Sequence, residues 1–168
     1  MIQSVKFDSF KMDIKKLANT AKTFIIKRLI EITGISVSFF GLVLLIAILS
    51  YSPNDPNFIF SENTEIKNLL GFRGSYISDL FLQSIGLISY LVPITFIFTG
   101  VTIFRIKNFF IIIENTFYII LYSVIGSLFF SYFHENTFTL FINGNGGFIG
   151  NLLNETFLNN IINSYESI

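Results

Sequence analysis

Few residues in this 168-residue chain could do chemistry, and they are widely spaced. The run Asn143-Gly144-Asn145-Gly146-Gly147 is glycine-rich enough to suggest a phosphate cradle. It does not complete one: a dinucleotide fingerprint beginning at Gly144 requires glycine where Ile149 stands, and no Gly-Lys pair exists for a P-loop. His134 is the only histidine and cysteine is absent, so neither a metal-ligand spacing nor a thiolate site can be built, and no metal or cofactor is expected. His134 reads as a surface residue. Asp79 stands at the head of an apolar stretch, where capping a helix is the expected role rather than ion binding. Glu114 precedes another such stretch. Near a helix start its carboxylate can reach the headgroups and Lys107; the sharper alternative, a proton or cation relay, lacks a second intramembrane acid or base. No nucleophile stands with a base, so no catalytic residue is expected.

The elements that carry these residues are membrane helices. Hydrophobic residues make up 52% of the chain and charged ones 13%, with a mean hydropathy of +0.66, far from soluble usage. Runs free of Lys, Arg, Asp and Glu extend from Ile32 to Ser52, Leu80 to Phe104 and Asn115 to His134. A hydrocarbon core of about 30 Å needs about 20 helical residues, so each run can span it. The first run is too long for the apolar core of a cleaved signal peptide. The 22 phenylalanines suit lipid contact without any special role, and a biased base composition accounts for them as well.

Ahead of the first run, Ile14, Leu17, Ala18, Ala21, Phe24 and Ile25 recur at helical spacing between Lys15, Lys16, Lys22 and Lys27. This predicts a basic amphipathic helix that lies on an anionic leaflet before turning into the membrane. A nucleic-acid reading of the same lysines lacks an aromatic platform or a recognisable motif. In the first span Gly34, Ser38 and Gly41 share a face that lets another backbone approach, although small residues are common in membrane helices generally. Glu31 sits in its opening turn, where a carboxylate meets the positive end of the helix dipole. Pro53 and Pro56 force a stop after it. Ile66, Leu69, Leu70 and Phe72 predict a short surface turn broken by Gly71 and Gly74. Pro93 predicts a kink in the second span at the carbonyl of Ser89. The stripe Phe148/Ile149, Leu152/Leu153, Phe157/Leu158, Ile161/Ile162 and Tyr165, opposed by Asn and Ser, predicts an amphipathic helix along the membrane surface. Lys and Arg number seven before the first span and two in the 105–108 turn, against two in the intervening loop and none at the end, which puts the N-terminus in the cytoplasm.

Four fragments occur in order: Leu49-Ser50-Tyr51-x-Pro53-x-Asp55-Pro56; Asn68-x-x-Gly71-x-x-Gly74 with Asp79-Leu80; Gly86-x-x-x-Tyr90-Leu91-x-Pro93; and Gly146-Gly147-x-Ile149-Gly150. Together they resemble the N-terminal membrane domain of FtsK/SpoIIIE-type bacterial DNA translocases over roughly residues 25 to 155. The resemblance implies an anchor in the bacterial inner membrane at the division septum, attached in the complete protein to a hexameric ATP-driven DNA motor, with roles in cell division and chromosome segregation. It makes Tyr51, Pro53, Asp55, Pro56, Gly71, Gly74, Asp79, Gly86, Tyr90, Pro93, Gly146, Gly147 and Gly150 the structural motif. It further implies membrane lipids and divisome membrane proteins as partners, and a homo-oligomer formed through the motor. A fourth helix, the linker and the Walker motifs are missing from the sequence, so a fragment without motor, ATP binding, DNA binding or enzyme activity of its own is expected.

The resulting plan is an all-α integral membrane protein with three spans and two amphipathic helices. It has a cytoplasmic basic segment (1–28), spans at 29–51, 79–104 and 109–133, a periplasmic loop at 52–78, a cytoplasmic turn at 105–108 and a periplasmic loop with an interfacial helix at 134–168. The competing plan is a small transporter or channel subunit working through the Pro93 kink and Glu114.

Overall fold

The computed structural model describes residues 2–56, 65–134 and 142–158, with backbone alone for 2–14. Five α-helices follow one another: α1 (Ile2–Leu49), α2 (Gly71–Ile85), α3 (Leu91–Ile106), α4 (Ile111–Phe133) and the short α5 (Gly147–Leu153). A 3-10 turn, Gly86–Tyr90, joins α2 to α3, and a π-helical turn, Asn154–Leu158, follows α5. Among the described residues there is no strand. Three stretches of the described residues are long and apolar enough to cross a membrane: Lys15–Leu49, Gly71–Ile106 and Ile111–Phe133.

The basic segment and the first span are one helix, not two. Between Asp13 and Thr33 there is no glycine or proline to break the backbone ladder. At 1.5 Å per residue the 48 residues of α1 extend about 72 Å, more than twice the hydrocarbon thickness, so one end projects well beyond it. The expected turn from leaflet into span is therefore absent, and residues 15 to 29 are exposed.

From Glu31 onward α1 runs antiparallel against α3. In the lower half their backbones nearly touch: a Cβ at Gly34 would lie 2.7 Å from the Gly100 carbonyl oxygen, and one at Gly41 would lie 2.9 Å from that of Pro93. The Ser38 hydroxyl donates to the Ile97 carbonyl across the same seam at 2.9 Å. Apolar side chains of similar affinity for lipid give helices little reason to associate, so close approach through small residues and hydrogen bonds between helices carry this contact. Toward the C-terminal end of α1 the packing becomes apolar, with Leu44, Ile48, Leu82, Ile85 and Val92 forming a cluster on which Ile149 of α5 also rests.

The second crossing is broken, but not where proline alone predicts. Its helix begins at Gly71 rather than Asp79 and stops at Gly86, whose φ is +65°; the chain turns through the 3-10 segment and restarts at Leu91. Pro93 thus falls in the first turn of α3, where a missing N–H is tolerated, and starts a helix instead of kinking one. The Ser89 hydroxyl donates to the Phe81 carbonyl at 2.8 Å, taking up one acceptor near the break.

Candidate functional site

The residues singled out above gather at the end of the bundle where α1 stops. Asp55 is buried, and its two carboxylate oxygens accept the backbone N–H groups of Lys67 (2.9 Å) and Asn68 (2.8 Å), pinning the return of the loop to the turn that leaves α1. Pro53 and Pro56 flank that turn, and the Pro56 carbonyl accepts from the Ser75 hydroxyl at 2.7 Å, tying it to α2. Asn68, 4% exposed, then reaches back. Its amide donates to the Ala47 carbonyl (2.8 Å) and the Ser50 carbonyl (3.2 Å), two of the acceptors that a helix C-terminus leaves unpaired. Its oxygen accepts from the Leu70 N–H at 3.1 Å. Gly74 must lack a side chain because a Cβ there would meet the Asn68 oxygen, and Gly71, at φ +63°, starts α2 rather than breaking a turn.

Asp79 is two turns inside α2, so it caps nothing. It accepts from the Tyr51 hydroxyl at 3.1 Å and weakly from the Gln83 amide at 3.4 Å. Gln83 continues the chain of polar contacts to Asn143, whose N–H donates to its side-chain oxygen and whose amide donates to its carbonyl, both at 3.2 Å.

That contact brings the glycine-rich run onto the broken helix. The Leu87 N–H donates to the Asn145 carbonyl at 2.9 Å, and a Cβ at Gly86 would overlap the same oxygen. Gly147, at φ +66°, lies against the Gly86 nitrogen, 2.5 Å from where its own Cβ would be. Gly146 and Gly150 in turn face Ser127 and Ser131 of α4. The Ser127 hydroxyl donates to the Ile85 carbonyl at 2.9 Å, satisfying an acceptor at the break, and the Ser131 hydroxyl donates to Asn151 at 2.8 Å. The run that resembles a phosphate cradle is therefore filled by protein backbone. The apolar stripe of α5 faces outward, with Phe148 and Leu152 and, in the following turn, Phe157 exposed, as an interfacial helix requires; the opposite side, bearing Gly147, Gly150 and Asn151, packs on protein instead of facing water. Tyr90 packs on the apolar cluster. The stripe positions 161, 162 and 165 and the turn 135–137 lie outside the described residues.

At the opposite end of the bundle, buried Glu31 pairs with Arg28 three residues before it and with Lys107 at 2.7 Å. Lys107 occupies the α3–α4 turn in left-handed conformation (φ 58°). Glu31 has thereby taken the cation expected to serve Glu114, which stands exposed in the first turn of α4. Pro93 packs beside Gly41. Among the described residues no group of three or more His, Asp or Glu could hold a metal.

Several positions escaped sequence reasoning: the capping role of Asn68, Gly100 opposite Gly34, and the buried serines 123, 127 and 131 of α4. The serines carried a signal, since they recur every fourth residue in an otherwise apolar helix.

Asn68, which caps α1, and Gly74, Gly86, Gly146, Gly147 and Gly150, where a Cβ would meet protein, all lie in the four ordered fragments. Residues 26–167 match the family described as the 4TM region of DNA translocase FtsK/SpoIIIE. The chain belongs to this family. DNA translocase FtsK of Azospirillum brasilense is 33% identical over 75 residues, 44% of this chain and 12% of that protein. The Caulobacter vibrioides protein of the same name is 38% identical over 66 residues (39% and 8%), and that of Shewanella oneidensis 33% over 81 (48% and 9%). The aligned part thus spans about a tenth of these relatives. No solved structure matches the chain. Membership of the FtsK/SpoIIIE membrane-region family and three apolar helices make this a multi-pass inner-membrane protein.

Proposed function

We propose that the chain is the membrane anchor of a DNA translocase that couples division at the septum to chromosome segregation. The match of residues 26–167 to the FtsK/SpoIIIE membrane region carries this reading. The geometry supports it: the built features are helix seams, caps and backbone contacts, the parts a rigid anchor requires. ATP hydrolysis and DNA contact belong to the motor of the complete translocase, with divisome membrane proteins as the anchor's neighbours. A fluorescent fusion to the chain in dividing cells is expected to form a band at midcell; uniform membrane fluorescence would refute a septal anchor.

In this reading Lys15 to Arg28 face the cytoplasm and the Asp55–Asn68 loop end faces the periplasm. The chain has no cysteine, so Lys16→Cys and Glu65→Cys each give a unique thiol. An impermeant maleimide added to intact spheroplasts should label only the second. Labelling of both, or of the first alone, would overturn this orientation.

A further inference from the structure

Between α2 and the approach to α5 lies a groove of about 530 Å³ that the anchor's internal contacts leave unused. Its walls are apolar and face outward, with Ile77, Leu80 and Phe148 all exposed. Its floor is polar, made of Asp79, Gln83 and Asn143. Asp79 is 6% exposed, yet its hydrogen bonds both fall on Oδ1 and come from neutral donors, the Tyr51 hydroxyl and the Gln83 amide. Among the described residues Asp79 has no cationic partner, and its Oδ2 accepts no hydrogen bond. Asp79 lines the groove, so its free oxygen offers a cation entering there a charged acceptor that no described residue has taken. Acids within membrane helices characteristically pair with bases.

We propose that this groove docks a transmembrane helix of a partner protein whose Lys or Arg side chain pairs with Asp79 Oδ2. The walls suit the apolar face of such a helix, and the carboxylate selects the charge it carries. An ethanolamine lipid headgroup fits less well. Its phosphate, a few bonds from the ammonium, would lie beside Asp79, and among the described residues no Lys or Arg lines the groove to receive it. A second copy of this chain in the same orientation is out of register. Its nearest cation, Arg73, stands six residues toward the loop end, about 9 Å along α2 from the level of Asp79. The inference rests on the anchor reading only in taking the helices as membrane-embedded, so failure of septal localisation leaves its test intact.

The test uses the chain in phosphatidylcholine vesicles, labelled with a donor fluorophore at Glu65→Cys. The probes are acceptor-labelled synthetic Leu/Ala helices, without charged flanks, bearing a single Lys, Gln or Glu near one end. Energy transfer should show the Lys helix binding about tenfold more tightly than the Gln helix, and the Glu helix no better than Gln. Asp79→Asn keeps an oxygen for Tyr51 and should erase the preference for Lys. Ser84→Trp, which fills the groove and leaves Asp79 in place, should abolish binding while the circular dichroism spectrum stays unchanged. Equal binding of Lys and Gln helices, or a preference that survives Asp79→Asn, would overturn the proposal. So would loss of the preference on adding phosphatidylethanolamine, which would assign the groove to lipid.

Discussion

Replacing Gly86 by alanine tests whether contact between two stretches of backbone holds the broken crossing together. Gly86 has φ +65° and ψ −143°, a combination nearly confined to glycine that costs an L-residue about 1–3 kcal/mol. Its new Cβ would also overlap the Asn145 carbonyl oxygen, which is backbone and cannot rotate aside. Relief requires residues 145–147 to move away, at the expense of the Leu87 N–H to Asn145 hydrogen bond, about 1 kcal/mol, and of packing worth about 1–2 kcal/mol. The total is about 3–6 kcal/mol. Gly71 provides the control: its φ is +63°, but a Cβ there meets nothing within 4 Å. Gly71→Ala should therefore cost only the conformational part, about 1–2 kcal/mol. The chain has no tryptophan, so Phe81→Trp beside the apolar cluster gives a unique fluorescence reporter for reversible unfolding by SDS in bicelles. If Gly86→Ala proves no more destabilising than Gly71→Ala, the contact with Asn145 contributes nothing and the reasoning fails.

The same titration reads the other substitutions. Asn68→Ala removes two caps from the end of α1 and an acceptor from Leu70, and should cost about 2–3 kcal/mol. Gly100→Ala sets a methyl against the Gly34 carbonyl and should cost about 1–3 kcal/mol, whereas Gly126→Ala meets only the flexible Ile88 side chain and should change stability by less than about 1 kcal/mol. Ser127→Ala should cost about 1 kcal/mol through the lost hydrogen bond to Ile85. Lys107→Gln should cost no more than about 1 kcal/mol, because the Lys107 side chain is 42% exposed and Arg28 still pairs with Glu31.

Charge-free length, small residues at turn-related spacing and paired prolines are properties of the chain itself, so three crossings, the seam through Gly34, Ser38 and Gly41, and the stop after Tyr51 were legible before any coordinates. What was not legible depends on partners distant in sequence. Pro93 announces a break, but the position of the break is decided by Gly86, which can adopt positive φ and receive Asn145 from about sixty residues away. Asp79 looks like a cap until Gly71 begins the helix two turns earlier, leaving the carboxylate to Tyr51. Glu114 and Glu31 compete for one lysine, and only the approach of α3 to α1 gives Lys107 to Glu31. The stripe of α5 faces outward as its pattern predicts, but its opposite side was not legible, because the partners of Gly147, Gly150 and Asn151 lie on α2 and α4, far away in sequence.

That arrangement, apolar side outward and small or polar side inward, governs the fold as a whole. Lipid solvates phenylalanine and isoleucine about as well as a protein interior does, so the many exposed apolar side chains of α1, α3 and α4 specify no particular neighbour. Uniqueness must come from positions where backbone meets backbone or where a polar group has one satisfactory partner. Here these are Gly34 with Gly100, Gly86 with Asn145 and Gly147, Ser127 with Ile85, and Asn68 with the end of α1. A conservative exchange of Phe for Leu on the outward face of α4 should thus leave the fold intact, while adding one methyl at Gly86 or Gly100 should not. The same logic explains why Asp79 stands apart: it is the deeply buried acid of the described chain whose charge the protein itself leaves without a cation or a pair of backbone donors, in contrast to Glu31 and Asp55.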